Sequence, residues 1–256
     1  MFATIFRGLI TDVELQKACV YPIITVGGGS YQGQCDQALN NAQAAVNNQA
    51  IWDKWRQKVT TIRQKLLTTT GKLYITGYAR FFSPDIVEGD VCDNTYFLDL
   101  PVVGNKLKMK AANRRRMNTL VESVNTKIIA TLQGFGNAIY VDIDDNFRGR
   151  RFCEKTHSSD PIGRGEHAHN VWFNDLRTQL DETREWKPAS NNLDVIEWDE
   201  WGAALPGSVV DEPNFGRGIT DKYQRSSSFH PKAAAYQQTE AWINYLIIRS
   251  SRGKEV

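Results

Sequence analysis

Two short runs of apolar and β-branched residues, each lying behind a stretch of helical periodicity, limit what this chain can fold into. From Cys35 to about Leu67 the apolar residues recur at three- and four-residue steps: Ala38, Leu39, Ala42, Ala45, Val46, then Ile51, Trp52, Trp55, Val59, Ile62 and Leu66. That spacing predicts one long helix, or two. A Thr-rich break follows, and Gly71 to Tyr78 reads as a short buried strand running into a loop. The pattern then repeats. Asn113 to Leu132 carries Met117, Leu120, Val121, Val124, Ile128 and Leu132 on one stripe, Gly134-Phe135-Gly136 suits a helix stop, and Ala138 to Ile143 reads as a second strand. Helix, strand, helix, strand is the order of a parallel α/β sheet. Trp186 to Arg225 is loop-rich, with Pro188, Pro206 and Pro213, and Pro231 to Ile248 reads as a last helix with proline at its first position. No internal repeat or linker interrupts the 256 residues, so a single domain over 1–256 is expected.

In parallel α/β sheets, ligands gather at the carboxyl ends of the strands. Two segments follow strand ends here, Tyr78-Ala79-Arg80-Phe81-Phe82 and Asp142-Ile143-Asp144-Asp145-Asn146-Phe147. A third, Phe229-His230-Pro231, sits where a loop meets the final helix. These are the candidate site segments.

Composition narrows the partners. Lys and Arg total 31 against 29 for Asp and Glu, so no global charge draws the chain to nucleic acid or an anionic membrane. Lys106, Lys108, Lys110, Arg114, Arg115 and Arg116 do form a basic run, but no aromatic residue from Val102 to Gly134 offers a base a stacking surface. The run reads as a solvated helix end. The longest apolar run, Tyr245 to Ile248, falls far short of the roughly 20 residues that span a bilayer. Trp186, Trp198 and Trp201 read as core and loop packing before they read as a ligand cleft.

Four cysteines remain to be explained. They fall into two local groups, Cys19 with Cys35 and Cys92 with Cys153, without zinc-like spacing. Their even number and wide spacing favour oxidised over free thiols, although Met1 to Arg7 is not a secretory signal. Cys153, His157, His167 and His169, with Glu154 and Asp160, share one window, but a His-x-His pair is common in loops, and no metal or other cofactor is expected.

Several of these segments together resemble the SGNH (GDSL-type) hydrolases, in particular their disulfide-bearing branch of secreted fungal esterases and lipases. The resemblance rests on Leu73 to Phe82, on Val141-Asp142 followed by Phe147 to Glu154, and on Ser228-Phe229-His230-Pro231 leading into a terminal helix. It rests also on Ala18-Cys19-Val20-Tyr21 followed by Gln34-Cys35-Asp36, and it runs in the family's order from about residue 18 to 248. It implies a three-layer α/β/α domain with a parallel central sheet, flavodoxin-like in type. It implies an extracellular monomer that hydrolyses carboxylic esters of lipid or acylated carbohydrate by a serine–histidine mechanism without a cofactor. It pairs Cys19 with Cys35 and Cys92 with Cys153, and it makes His230 the general base.

The departures are equally specific. No Gly-Asp-Ser, the family's nucleophile block, occurs in the sequence. Where an asparagine-bearing block belongs, just before Cys19, the chain reads Gly8-Leu9-Ile10-Thr11-Asp12, and Gly27-Gly28-Gly29-Ser30 lies after Cys19 and reads as a loop. Ser227 stands where many members carry the aspartate that orients the histidine. The resemblance therefore implies the rear part of a longer protein, its front and its nucleophile missing. The alternative is a non-catalytic ligand-binding or interaction protein on a degenerate hydrolase scaffold.

Overall fold

The structure, a computed structural model, describes residues 18–19, 31–66, 71–95, 108–159, 161–162, 171–173 and 233–251. The first helical stretch is two helices, α1 (Tyr31–Asn47) and α2 (Gln49–Leu66). Asn48 makes the break. Its side-chain oxygen accepts the Ala50 N–H at 3.1 Å and its carbonyl accepts the Ile51 N–H at 3.1 Å, an asparagine N-cap for α2. The corner is then pinned by Trp52, whose indole N–H donates to the Val46 carbonyl at 2.7 Å and satisfies one of the carbonyls that the end of α1 leaves open.

Strand β1 (Leu73–Thr76), helix α3 (Ala111–Leu132), strand β2 (Ala138–Val141) and helix α4 (Ala233–Ser251) follow. β1 and β2 pair in parallel, Leu73 opposite Ala138 through Thr76 opposite Val141. Both strands are shorter than their apolar runs. β2 stops at Val141 because the Asp142 carboxylate accepts the Asp144 N–H at 2.9 Å, which turns the backbone into the 3-10 turn Asp144–Phe147. β1 stops before Gly77, a position where a Cβ would lie 2.1 Å from the Tyr140 hydroxyl.

Side chains alternate across the pair, as a strand requires. Leu73, Ile75, Ala138 and Tyr140 face a cluster built from Ala42 and Val46 of α1, Trp52, Trp55 and Val59 of α2, and Leu120, Val124, Ile128 and Leu132 of α3. Tyr74 and Val141 face a second cluster that holds Cys19, Cys35, Phe82, Phe147, Phe152 and Phe173, with Ala235 and Leu246 of α4. The described fold is thus α/β, with a parallel strand pair covered on both faces, which parallel strands need.

The basic run departs from the sequence reading. Arg114 is not solvated: it is wholly buried. Its guanidinium donates to both Asp90 oxygens at 2.9 and 2.7 Å and to Asp93 Oδ1 at 2.8 Å. Asp90 caps the 3-10 turn Val91–Asn94 and Asp93 lies within it, about twenty residues upstream of Arg114, so a local reading of the run could not supply them. Asp93 also accepts the Ala111 N–H at 2.6 Å, a cap from a distant turn that lets α3 start two residues before Asn113 although Lys110 contributes no side-chain cap. Arg115 and Arg116 pair with Glu88 and Asp36, and Lys106 lies outside the described residues.

Candidate functional site

Parallel pairing puts the carboxyl ends of β1 and β2 side by side, so the two segments singled out from the sequence, Tyr78–Phe82 and Asp142–Phe147, leave the sheet together. They stay together. Arg80 reaches Asp144 three times: its backbone N–H donates to Oδ1 at 2.7 Å, and its Nε and Nη2 donate to Oδ2 at 2.9 and 2.5 Å. Further along, the segments pair again as parallel β at Phe82 and Phe152, with Ser83 N–H to the Phe152 carbonyl and Phe152 N–H to the Phe81 carbonyl, both at 2.9 Å.

Beneath the first segment runs one face of α3. Asn125 exchanges two hydrogen bonds with the backbone of Tyr78, both at 2.8 Å. Asn118 does the same for Phe82, accepting at 3.2 Å and donating at 3.1 Å. Between them Glu122 accepts from Arg80 Nη1 at 3.1 Å. These three residues stand at i, i+4 and i+7, one stripe of the helix, and hold the loop chiefly by its main chain. The apolar pattern concealed them, because a polar stripe on a helix reads as its solvent face. Their signal was the amide type: two asparagines on one face, in a helix interior that disfavours asparagine.

Arg151 completes the ionic cluster. Almost wholly buried, it donates to the Asp144 carbonyl at 2.5 Å and pairs with the Asp144 carboxylate at 3.0 Å and with Glu154 at 3.4 Å. Burial alone would push the Asp144 carboxyl up; the hydrogen bonds from Arg80 and the charge of Arg151 outweigh it and hold the group below its ordinary range. Asp144 is therefore a fixed anion, and the Arg80 guanidinium, hydrogen-bonded to it, is held above its ordinary value. Tyr140 shows the opposite case: burial first, then the charges of Asp142 and Asp144, push its hydroxyl up to about 12. It keeps its proton near neutrality and can donate a hydrogen bond but not act as a base.

An aromatic layer lies alongside. Phe147 stacks on Phe173 at 4.9 Å, Phe81 and Phe152 each meet Phe173 at 5.6 Å, and Trp172 meets Phe147 edge-on at 5.8 Å. Two disulfides brace the assembly, Cys19–Cys35 and Cys92–Cys153, the same pairs that the family resemblance implied. The second joins the Val91–Asn94 turn to the residue after Phe152.

Of the residues expected to carry chemistry, His230, with Ser227, Ser228, Phe229 and Pro231, lies outside the described residues. The metal window is partly tested. Cys153 is bonded to Cys92, Glu154 accepts from the Gly149 N–H and from Arg151, and among the described residues no three His, Cys, Asp or Glu gather as a metal site would require. Asp160, His167 and His169 are outside the described residues, and nothing is described of the His157 side chain. Among the described residues no helix is long and apolar enough to cross a membrane. The arrangement thus offers a cross-linked strand-end platform with its deeper carboxylates neutralised, and no free thiol to act as nucleophile.

No protein-family model matches the chain, and no curated protein matches it. Among solved structures the chain is similar to the crystal structure of phospholipase A1 from Streptomyces albidoflavus NA297, with 15% identity and a TM-score of 0.47. The match covers 92% of this chain and 62% of that one, so the chain spans less than two thirds of that protein's length.

Proposed function

We propose that the chain carries the scaffold of an SGNH-type carboxylic ester hydrolase, a single three-layer α/β/α domain with a parallel central sheet. In this reading His230 is the general base, and the substrates are esters of lipid or acylated carbohydrate. The observation that supports it best is a juxtaposition. The segments that carry the sequence resemblance, Leu73 to Phe82 and Val141 to Glu154, lie far apart in the chain yet run side by side from the carboxyl ends of two parallel strands, joined by Arg80–Asp144 and by the Phe82–Phe152 bridge. Ala235, five residues after His230, is buried in the same cluster as Phe147 of the second segment.

The chemistry would run through His230. Its imidazole would take the proton of a serine hydroxyl, a nucleophile that this sequence does not offer in a Gly-Asp-Ser block, as that oxygen attacks the ester carbonyl, and would return it to the departing alcohol. With Ser227 in place of an aspartate, a backbone carbonyl would fix the ring's tautomer. The two disulfides suit an oxidising compartment, and we place the working protein outside the cell, as a monomer. One sequence fact favours a second reading, a non-catalytic ligand-binding or interaction protein on the same scaffold: the chain contains no Gly-Asp-Ser.

Hydrolysis of a p-nitrophenyl acyl ester by the purified chain, compared with His230→Ala, separates the readings. Turnover that falls by about 100-fold or more in the variant supports the enzyme and means that a serine outside any Gly-Asp-Ser block serves as nucleophile. Saturable binding of the ester without turnover selects the binding protein. An ester that neither binds nor reacts overturns both.

A further inference from the structure

We propose that the Cys92–Cys153 bridge is a redox gate on the strand-end loops: a dithiol reductant opens it ahead of Cys19–Cys35, and its opening loosens the loops while the helical side of the molecule stays closed. The inference is independent of the ester-hydrolase reading.

Three observations carry it. The first is access. Thiol–disulfide exchange requires a thiolate to approach one of the two sulfurs. Cys19 and Cys35 are both essentially fully buried within the apolar cluster, whereas Cys153 is partly exposed and only its partner Cys92 is fully buried. Cys153 is thus the point of attack and Cys92 the leaving thiolate.

The second is the backbone. Cys153 has φ of 65°, the left-handed region that favours glycine, and among the described residues it is the non-glycine residue with a positive φ. Two restraints hold it there, the bridge and a hydrogen bond from its N–H to the Pro161 carbonyl at 2.7 Å. Removing the bridge takes away one of the two and lets the residue relax, so reduction is favoured by relief of backbone strain.

The third is what the bridge connects. Cys92 lies in the turn whose Asp93 caps α3 and pairs with Arg114, and Cys153 lies between Phe152, paired to the segment after β1, and Glu154, which holds Arg151. The bridge closes a loop of 61 residues against 16 for Cys19–Cys35, so cutting it returns more freedom to the chain.

The exchange balances with a dithiol as the named reductant. One thiolate of the dithiol attacks Cys153 Sγ, the bond between the two cysteine sulfurs breaks, and Cys92 leaves as a thiolate that takes up a proton. The second thiol then attacks the mixed disulfide, releasing Cys153 as a thiol, and the dithiol departs as a cyclic disulfide, oxidised by two electrons.

The test is graded reduction of the native 256-residue chain with dithiothreitol, alkylation with iodoacetamide, and peptide mass spectrometry. Cys92 and Cys153 are expected to be alkylated at least about tenfold faster than Cys19 and Cys35; equal rates or the reverse order overturn the proposal. Hydrogen exchange on the partly reduced protein reads the reach of the gate. Amides of 80–95 and 149–153 should exchange faster while those of 35–62 do not change, and reoxidation should restore the original pattern. Uniform acceleration, or none, overturns the proposal. Should the partly reduced species not accumulate, hydrogen exchange on the Cys92→Ser/Cys153→Ser variant replaces it, with the same pattern expected and the same two outcomes overturning the proposal.

Discussion

The face of the parallel pair that α1 to α3 cover and the carboxyl ends of its strands are built by different physics. On the first, α1, α2 and α3 close over Leu73 and Ile75 with aliphatic and tryptophan side chains, and polar groups add the Trp52 indole on the Val46 carbonyl and Arg63 on Asn137. At the carboxyl ends of the strands, the segments are held by arginine–carboxylate clusters, asparagine–backbone pairs and a disulfide. The first arrangement is non-directional and tolerates repacking as long as volume is kept. The second fixes positions atom by atom, and a missing partner there leaves a buried charge or amide exposed to its full desolvation cost.

Substitutions can break or sharpen that contrast. The largest effect is expected on the apolar side. Trp52→Ala removes a side chain that is 1% exposed, together with its bond to Val46, and should cost about 3–5 kcal/mol in urea unfolding. Arg114→Ala comes next, at about 1.5–3 kcal/mol, because Asp93 loses its cation but keeps the Gly89 and Ala111 N–H groups, and the partly exposed Asp90 recovers water. A loss as large as that of Trp52→Ala would mean that the two regions do not differ in this respect. Gly77→Ala should cost about 1–3 kcal/mol through overpacking, since the new Cβ meets the Tyr140 hydroxyl; adding Tyr140→Phe should recover part of the loss.

Acid separates the two regions without mutation. Asp144 and Asp93 are both held below the ordinary carboxylate value, burial opposing and the hydrogen bonds and arginine charges prevailing. A carboxyl whose folded value is depressed stabilises fully above its unfolded value near 4, and that stabilisation is lost as pH falls through the folded value. The melting temperature should therefore drop below about pH 4, and in Asp144→Asn the drop should be shallower. Smallest of all, Arg148→Ala should leave the melting temperature unchanged, because its pair with Asp145 is open to solvent on both sides.

The same contrast explains what the sequence could reveal. Helices α1 to α3 are legible because burial against a common core imposes a period of 3.6, and both strands because cover on two faces leaves a short continuous apolar run. The ends of those elements are less so: Asn48 divides one apolar stripe into two helices, and Asp142 ends β2 inside an apolar run, each through a single side-chain hydrogen bond. At the strand ends the segments after Thr76 and Val141 were recognisable as a candidate site by topology. The groups that hold them were not. Arg114 reads as one more exposed base until Asp90 and Asp93 arrive from a distant turn, and Arg80 meets Asp144 only because the two strands pair. Charge pairing across a fold has no period, so nothing in the local pattern announces it.

Asn118 and Asn125 hold Tyr78 and Phe82 by groups that every residue except proline possesses. At those two positions the helix reads the path of the loop, while Glu122 between them reads Arg80 by its side chain. Tyr78, half-buried and gripped through its main chain in these two bonds, can be exchanged for side chains of other shape with the loop still seated, whereas either asparagine is irreplaceable by anything lacking a carboxamide. An engineer wishing to give this platform a new surface would vary Tyr78 and leave the helix, Arg80 and the buried Ala79 and Phe82 alone.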